Sequence, residues 1–175
     1  MDKIRFKQEN DSDVFSKDWD GNINGDMTTA CFSKYGDTIS EALLIRKTKM
    51  VSNIFNKQLT PTYSFWRIYE ETSTLPRHKD RQSCQYSITI CLDTNVSGWP
   101  LYVDHEDKVY QFDLSPGDAV LYDGVNDTHW RQGKCNGRQI QLMLHYVDVE
   151  YADKLKYDRR SLLGLPSKYK SLPRI

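Results

Sequence analysis

Tyr86-Ser87-Ile88-Thr89-Ile90-Cys91-Leu92 sets Tyr, Ile, Ile and Leu against Ser, Thr and Cys in strict alternation. A period of two places successive side chains on opposite faces, so this stretch reads as a strand with one bulky face and one small, partly polar face. Similar β-prone segments lie around it: Tyr63 to Tyr69, Leu101 to Val103, Val109 to Phe112, Ala119 to Tyr122 and Gln139 to Val149. Turn chemistry separates them at Ser97-Gly98, Ser115-Pro116-Gly117-Asp118, Asp123-Gly124 and Asn136-Gly137. Many short strands joined by such turns predict a mainly β domain, a β-sandwich or jelly roll, with helices at its flanks.

Upstream the period changes. Ile39 to Leu59 reads as a helix, with Thr38 and Glu41 spaced as a capping box and Thr60-Pro61 as its stop. Leu43, Met50, Val51, Ile54 and Phe55 fall on one stripe and are expected to pack against a sheet. Met1 to Asp37 is polar, rich in Asp, Asn, Ser and Gly, and reads as irregular with one short strand. Tyr151 to Ile175 is basic, with scattered Leu, Tyr and Pro, and reads as a short helix plus an extended strap. The 175 residues fit one domain. It comprises an N-terminal segment and helix over 1–60, a β core over 61–149 and a tail over 150–175.

Lys+Arg and Asp+Glu both total 24, and the near-zero net charge argues against nucleic acid or an anionic membrane as partner. The four cysteines form no CxxC pair, which argues against structural zinc. Cys84 and Cys91 are seven apart, on opposite strand faces, and cannot bond to each other. Reduced thiols, no secretory signal pattern and no apolar run of membrane-spanning length lead to the expectation of a cytoplasmic protein.

The chemistry-bearing residues are His78-Lys79-Asp80 and His129. An imidazole and a carboxylate two places apart on extended chain point the same way. A second imidazole follows 51 residues after the first, beyond a strand and the Asp123-Gly124 turn. Two His and one carboxylate make the facial triad that holds non-heme Fe(II), with open positions for a chelating cosubstrate and O2. Arg138, nine residues past His129, offers a permanently charged fork for the distal carboxylate of a 2-oxo dicarboxylic acid.

The ordered set His78, Asp80, His129 and Arg138 resembles the HxD…H…R pattern of Fe(II)/2-oxoglutarate-dependent oxygenases. Its nearest likeness is to the prolyl-4-hydroxylase-like branch. Tyr69, the run from Cys84 to Leu92 and the run from Ser115 to Tyr122 extend the resemblance over roughly Tyr63 to Val147. It implies a double-stranded β-helix, with His78, Asp80 and His129 as metal ligands and catalytic centre, and Fe(II), 2-oxoglutarate and O2 as cofactor and cosubstrates. It further implies cosubstrate roles for Arg138, Tyr69 and, from the small face of its strand, Thr89. Two departures stand out. Gly98-Trp99-Pro100 replaces a common Gly-Gly, and Ile140 stands where some members carry Ser.

The activity implied is a dioxygenase that hydroxylates a C–H bond, with a prolyl residue of a peptide or protein as first choice of substrate. A small molecule or free amino acid is the alternative. Halogenases of this type replace the carboxylate with a small residue, so Asp80 favours hydroxylation. A non-catalytic cupin-like binding module is the rival of another class, and it favours an HxH start, against which Asp80 speaks. Arg77, Arg81 and Arg131 bracket the ligands in sequence and read either as surface charge or as a rim that receives an anionic or peptide substrate; Trp99 and Trp130 read equally as part of that rim or as packed. His145 reads as packed or exposed rather than ligating, and His105 as part of a charged loop.

Overall fold

The structure, a computed structural model, describes residues 13–15 and 29–165. Nine antiparallel strands carry it: β1 Asp13–Phe15, β2 Thr29–Tyr35, β3 Leu59–His78, β4 Tyr86–Thr94, β5 Leu101–His105, β6 Lys108–Phe112, β7 Ala119–Asp123, β8 Thr128–Arg131 and β9 Gln139–Asp148. The central path runs β6-β5-β8-β3-β9-β4-β7, and β2, with β1 beyond it, pairs along β3. This is the expected jelly-roll core with a helix on its flank.

The twenty-residue β3 joins the two sheets. Its first half pairs with β9 from Leu59 to Tyr69, and its last residues pair with β8. Between them Thr72 adopts φ 75°, a left-handed conformation rare for a β-branched residue. The Thr72 amide donates to the Cys135 carbonyl, and the Cys135 amide donates back to the Ser73 carbonyl. That corner carries His78 from one sheet to the other.

The alternation read in Tyr86–Leu92 sorts the two faces. Tyr86 and Ile88 join Leu142, Leu144 and Tyr146 of β9 in a core beneath helix α1, Thr38–Phe55. Ser87 and Thr89 face the other way, bonded to His145 and Gln141 of β9. Between the sheets a second core gathers Leu75, Leu101, Val103, Val120 and Tyr122.

Helix α1 differs from expectation in cap and phase. Asp37, not Thr38, is the N-cap, its carboxylate accepting from the Ser40 amide. Leu44 and Val51 are fully buried, whereas Met50 and Ile54 are exposed. The helix stops at Asn56 in the left-handed conformation, and Thr60-Pro61 belongs to β3. Glu41 explains the phase. Its carboxylate is buried against the Arg160 guanidinium at 2.6 Å, and it also accepts from the Ser64 and Gly164 amides. The face of α1 that points inward therefore carries a charge at its start.

Arg160 belongs to the tail, which follows β9 as a short turn and the four-residue helix α2, Ala152–Leu155. Asp158 is fully buried and accepts from Tyr35, Ser83 and both terminal nitrogens of Arg81. The N-terminal stretch read as irregular with one short strand holds β1 and β2, and its residues 1–12 and 16–28, like the last ten residues of the tail, lie outside the described residues. Among the described residues no helix is long and apolar enough to cross a membrane. None of the four cysteines forms a disulfide.

Candidate metal centre

His78 closes β3, and His129 sits opposite it in β8. Their rings lie 4.2 Å apart, centroid to centroid. Asp80 follows in the loop after β3, its Oδ1 3.8 Å from His78 Nε2 and 3.6 Å from His129 Nε2. These gaps are too long for hydrogen bonds, and the donor atoms of all three residues lie within 4.8 Å of one another.

The other ring nitrogens settle what the three can do. His78 Nδ1 lies 2.9 Å from the Pro76 carbonyl oxygen, and His129 Nδ1 lies 3.1 Å from that of Asp127. A carbonyl only accepts, so each Nδ1 carries the hydrogen. Each Nε2 then presents a lone pair toward the same carboxylate, the tautomer that metal-bound histidine requires. Asp80 Oδ2 is buried with no hydrogen-bond partner. Two lone pairs and a carboxylate facing one another repel unless a cation stands among them.

Protonation responds accordingly. Burial disfavours charge on His129, yet the Asp80 carboxylate beside it and Asp127 behind it together outweigh this and leave its pKa raised. Burial likewise pushes Asp80 up, and His129, with His145 and His78 around it, outweighs this to leave the carboxyl low. Asp80, Cys84 and His145 form a second cluster on the other side of Asp80. Burial pushes His145 down to about 4 and raises the Cys84 thiol far above its usual range. A protonated thiol bonded to Tyr63 at 3.0 Å is a poor ligand, which leaves His78, Asp80 and His129 as the better metal set.

The loop carrying Asp80 is held from two sides. The Asp80 amide donates to the Gly124 carbonyl, and the Gly124 amide to the Gln85 carbonyl. A Cβ at Gly124 would fall 2.5 Å from Asp80 Oδ2 and nearer still to the Cys84 carbonyl oxygen. Glycine is thus required here for close approach. Gly124→Ala should displace the Asp80 carboxylate and weaken divalent-metal affinity by about tenfold or more, the usual cost of disturbing a group that orients a ligand. Metal titration against wild type reads this, and unchanged affinity would show that Asp80 is placed otherwise. On the second side, Arg81 is tied to the buried Asp158 of the tail.

The residues expected to serve a cosubstrate separate. Tyr69 is buried in the interior, edge-on to Trp99 at 5.1 Å, and burial raises its phenol. Thr89 is buried there too, its hydroxyl donating to Gln141 Oε1 at 3.1 Å. Arg138 does not join them. It lies on the surface, its guanidinium bonded to Glu70 at 2.9 and 3.1 Å. The reason is parity: Gln139 and Gln141 face inward on β9, so Arg138 points out.

The three arginines around the ligands have three different environments. Arg77 is exposed over the Trp130 ring at 3.6 Å and bonded to Asp104, and Trp130 stacks on Tyr102. Arg81 is paired with Asp158. Arg131 is inside, 5% exposed, next but one to His129 on β8. Neither of its two sequence readings, surface charge or substrate rim, places it in the interior. Nothing in the sequence marks Tyr122, whose ring packs 4.6 Å from His129, and of the two positions open to Trp99, rim or packed interior, the structure shows the packed one. His105 caps β5 and bonds Asp127 at 2.7 Å, behind the carbonyl that orients His129.

No protein-family model and no curated protein matches the chain. Solved structures do. An oxidoreductase of the 2OG-Fe(II) oxygenase family from Burkholderia pseudomallei aligns over 74% of this chain and 71% of its own, with TM-score 0.59 and 14% identity. A Pseudomonas putida prolyl-4-hydroxylase aligns over 67% and 72%, with TM-score 0.54 and 11% identity. A Trichoplax adhaerens prolyl hydroxylase, in complex with a hypoxia inducible factor oxygen degradation domain peptide fragment, aligns over 67% and 64%, with TM-score 0.53 and 16% identity. What this chain shares with them is the fold, and its jelly-roll core is a double-stranded β-helix.

Proposed function

We propose that the protein is an Fe(II)- and 2-oxoglutarate-dependent dioxygenase that hydroxylates a C–H bond of a prolyl residue in a peptide or protein. The observation that carries the reading is the pair of imidazoles whose Nδ1–H groups are committed to backbone carbonyls while both Nε2 atoms face Asp80. That donor set of two nitrogens and one carboxylate suits ferrous iron with positions left for cosubstrate and O2.

His78, Asp80 and His129 would hold the ion. When bound, it supplies oxidative decarboxylation of 2-oxoglutarate to succinate and CO2, coupled to insertion of one oxygen into substrate. The chain's own part is to fix the ligands and to limit water. Pro76 and Asp127 set the imidazole tautomers, and Gly124 and Asp158 fix the loop bearing Asp80. Leu75, Val103, Val120 and Tyr122 form an apolar wall between the sheets. The peptide reading draws support from two of the structural relatives, both named as prolyl hydroxylases, one of them bound to a peptide.

The test supplies the purified chain with Fe(II), ascorbate, 2-oxoglutarate and a library of proline-containing peptides. Succinate should form, with gain of one oxygen at a prolyl residue, and both should vanish in His129→Ala. Absence of succinate in wild type sinks the oxygenase reading. Succinate without any oxidised peptide sinks the prolyl substrate and turns the search to small molecules.

A further inference from the structure

We infer that Asp80, Cys84 and His145 form a second cation site behind the first, one that takes a thiophilic divalent ion such as Zn(II) or Cd(II). The site goes beyond the oxygenase reading and shares only the Asp80 carboxylate with it.

Register and a tight turn bring the three residues together. Tyr63, His145 and Ser87 lie in one row across β3, β9 and β4. Cys84 ends the turn Gln82–Cys84 that follows the loop bearing Asp80. Its amide donates to the Arg81 carbonyl, and its own carbonyl accepts from the Ser87 hydroxyl. The Tyr63 ring packs 4.6 Å from the His145 ring and places its hydroxyl 3.0 Å from the Cys84 sulfur. One donor atom from each of Asp80, Cys84 and His145 lies within 4.8 Å of the other two. Cys84 and His145 are 3% and 5% exposed.

The donors are prepared for a cation. Ser87 donates its hydroxyl hydrogen to the Cys84 carbonyl, so at its 2.8 Å contact with His145 Nδ1 the hydroxyl oxygen accepts. Nδ1 therefore carries the imidazole hydrogen and Nε2 a lone pair, as in His78 and His129. Asp80 turns Oδ1 to those two imidazoles, while its Oδ2 is buried with no hydrogen-bond partner. A buried carboxylate oxygen left unpaired is costly, and a cation between it, the imidazole and the sulfur removes that cost. For ferrous iron the thiol makes this the poorer of the two sets. For a soft ion it makes the better one, because thiolate sulfur selects zinc and ions of similar softness. Zinc accepts three protein donors of these kinds with a fourth position open. Coordination forms a sulfur–metal bond and releases the thiol hydrogen to solvent as one proton. The two positive charges then face one carboxylate and one thiolate, the neutral balance that a buried site requires.

Cd(II) added to the full, metal-free chain reports the site through the sulfur-to-cadmium charge-transfer absorption in the near ultraviolet. In wild type the band should saturate with one thiolate-bound ion per chain and one proton released. It should be absent in Cys84→Ala. In His145→Gln and in Asp80→Ala it should need more than about 100-fold more Cd(II), a loss beyond that of a supporting group. It should persist in Cys31→Ala, Cys91→Ala and Cys135→Ala, which assigns the sulfur to Cys84. It should persist in His129→Ala too, since His129 serves the first site alone. Cys84→Ala should still bind Mn(II) at the first site within a few-fold of wild type, so that loss of the band is not loss of the fold. No band in wild type overturns the site whatever the variants do. A band kept in Cys84→Ala, or undiminished in His145→Gln or Asp80→Ala, overturns it as well. If wild type holds no Mn(II) while the cadmium band still depends on Cys84 and His145, the oxygenase reading fails and this site stands. Mn(II) held with no cadmium band sinks this site alone.

Discussion

Asp80→Ala should lower the affinity for Mn(II), Co(II) or Fe(II) by more than about 100-fold, beyond the 10- to 100-fold range seen when only a supporting group is lost. The carboxylate supplies the one full negative charge that faces His78 Nε2 and His129 Nε2. Without it a dication would meet two neutral imidazoles only. The change should also reach His129. Burial pushes that imidazole down, and Asp80, with a smaller part from Asp127, holds its pKa up. In Asp80→Ala the His129 pKa should therefore fall, which histidine NMR titration of the metal-free protein reads directly. The fold should survive, since Asp80 Oδ2 has no hydrogen-bond partner to strand. Metal affinity within a few-fold of wild type would show that the three residues are not a metal site. An unmoved His129 titration would show that the two groups do not share an electrostatic environment.

The meeting of His78, Asp80 and His129 was legible in the sequence because one rule covered most of it. Residues two apart on extended chain face one way, and that rule tied His78 to Asp80. Applied to His129 it also reaches Arg131, on the same short strand and the same face. The reading of Arg138 rests on its distance from His129 and on the resemblance, and neither carries the phase of β9. Strand parity places Arg138 outside, opposite in sense to Gln139 and Gln141. The small face of β4 was legible for the same reason as the triad, and Ser87, Thr89 and Cys91 are all buried. What parity cannot give is the partner of a charge. Three arginines that each flank a ligand in sequence end on an aromatic ring, on a buried aspartate and in the interior, and only tertiary structure separates them.

The phase of α1 failed for a related reason, and it leads to a large stability effect. Glu41→Ala should destabilise the fold by roughly 3–5 kcal/mol, the cost of removing one partner of a buried ion pair and leaving the other charge uncompensated. Glu41 and Arg160 have side chains 1% and 0% exposed, and their closest approach is 2.6 Å. Arg160 would keep only carbonyl acceptors, those of Tyr157, Thr62 and Leu165. The Ser64 and Gly164 amides would lose their carboxylate as well. Against a total stability of about 5–15 kcal/mol this is a large fraction, and the melting temperature should drop on the order of 10 °C. The double variant Glu41→Leu/Arg160→Met should recover part of the loss, because no buried charge is left unpaired. The amides of Ser64 and Gly164 limit that recovery. Urea denaturation of the three variants measures it. A loss under about 1 kcal/mol in Glu41→Ala would mean that water reaches Arg160 when the carboxylate is gone. A double variant as unstable as the sum of both single changes would mean that the two side chains act independently. Either result would separate α1 from the tail. The expected result makes them one unit, in which Arg160 anchors α1 and Asp158, two residues earlier, anchors the loop that carries Asp80.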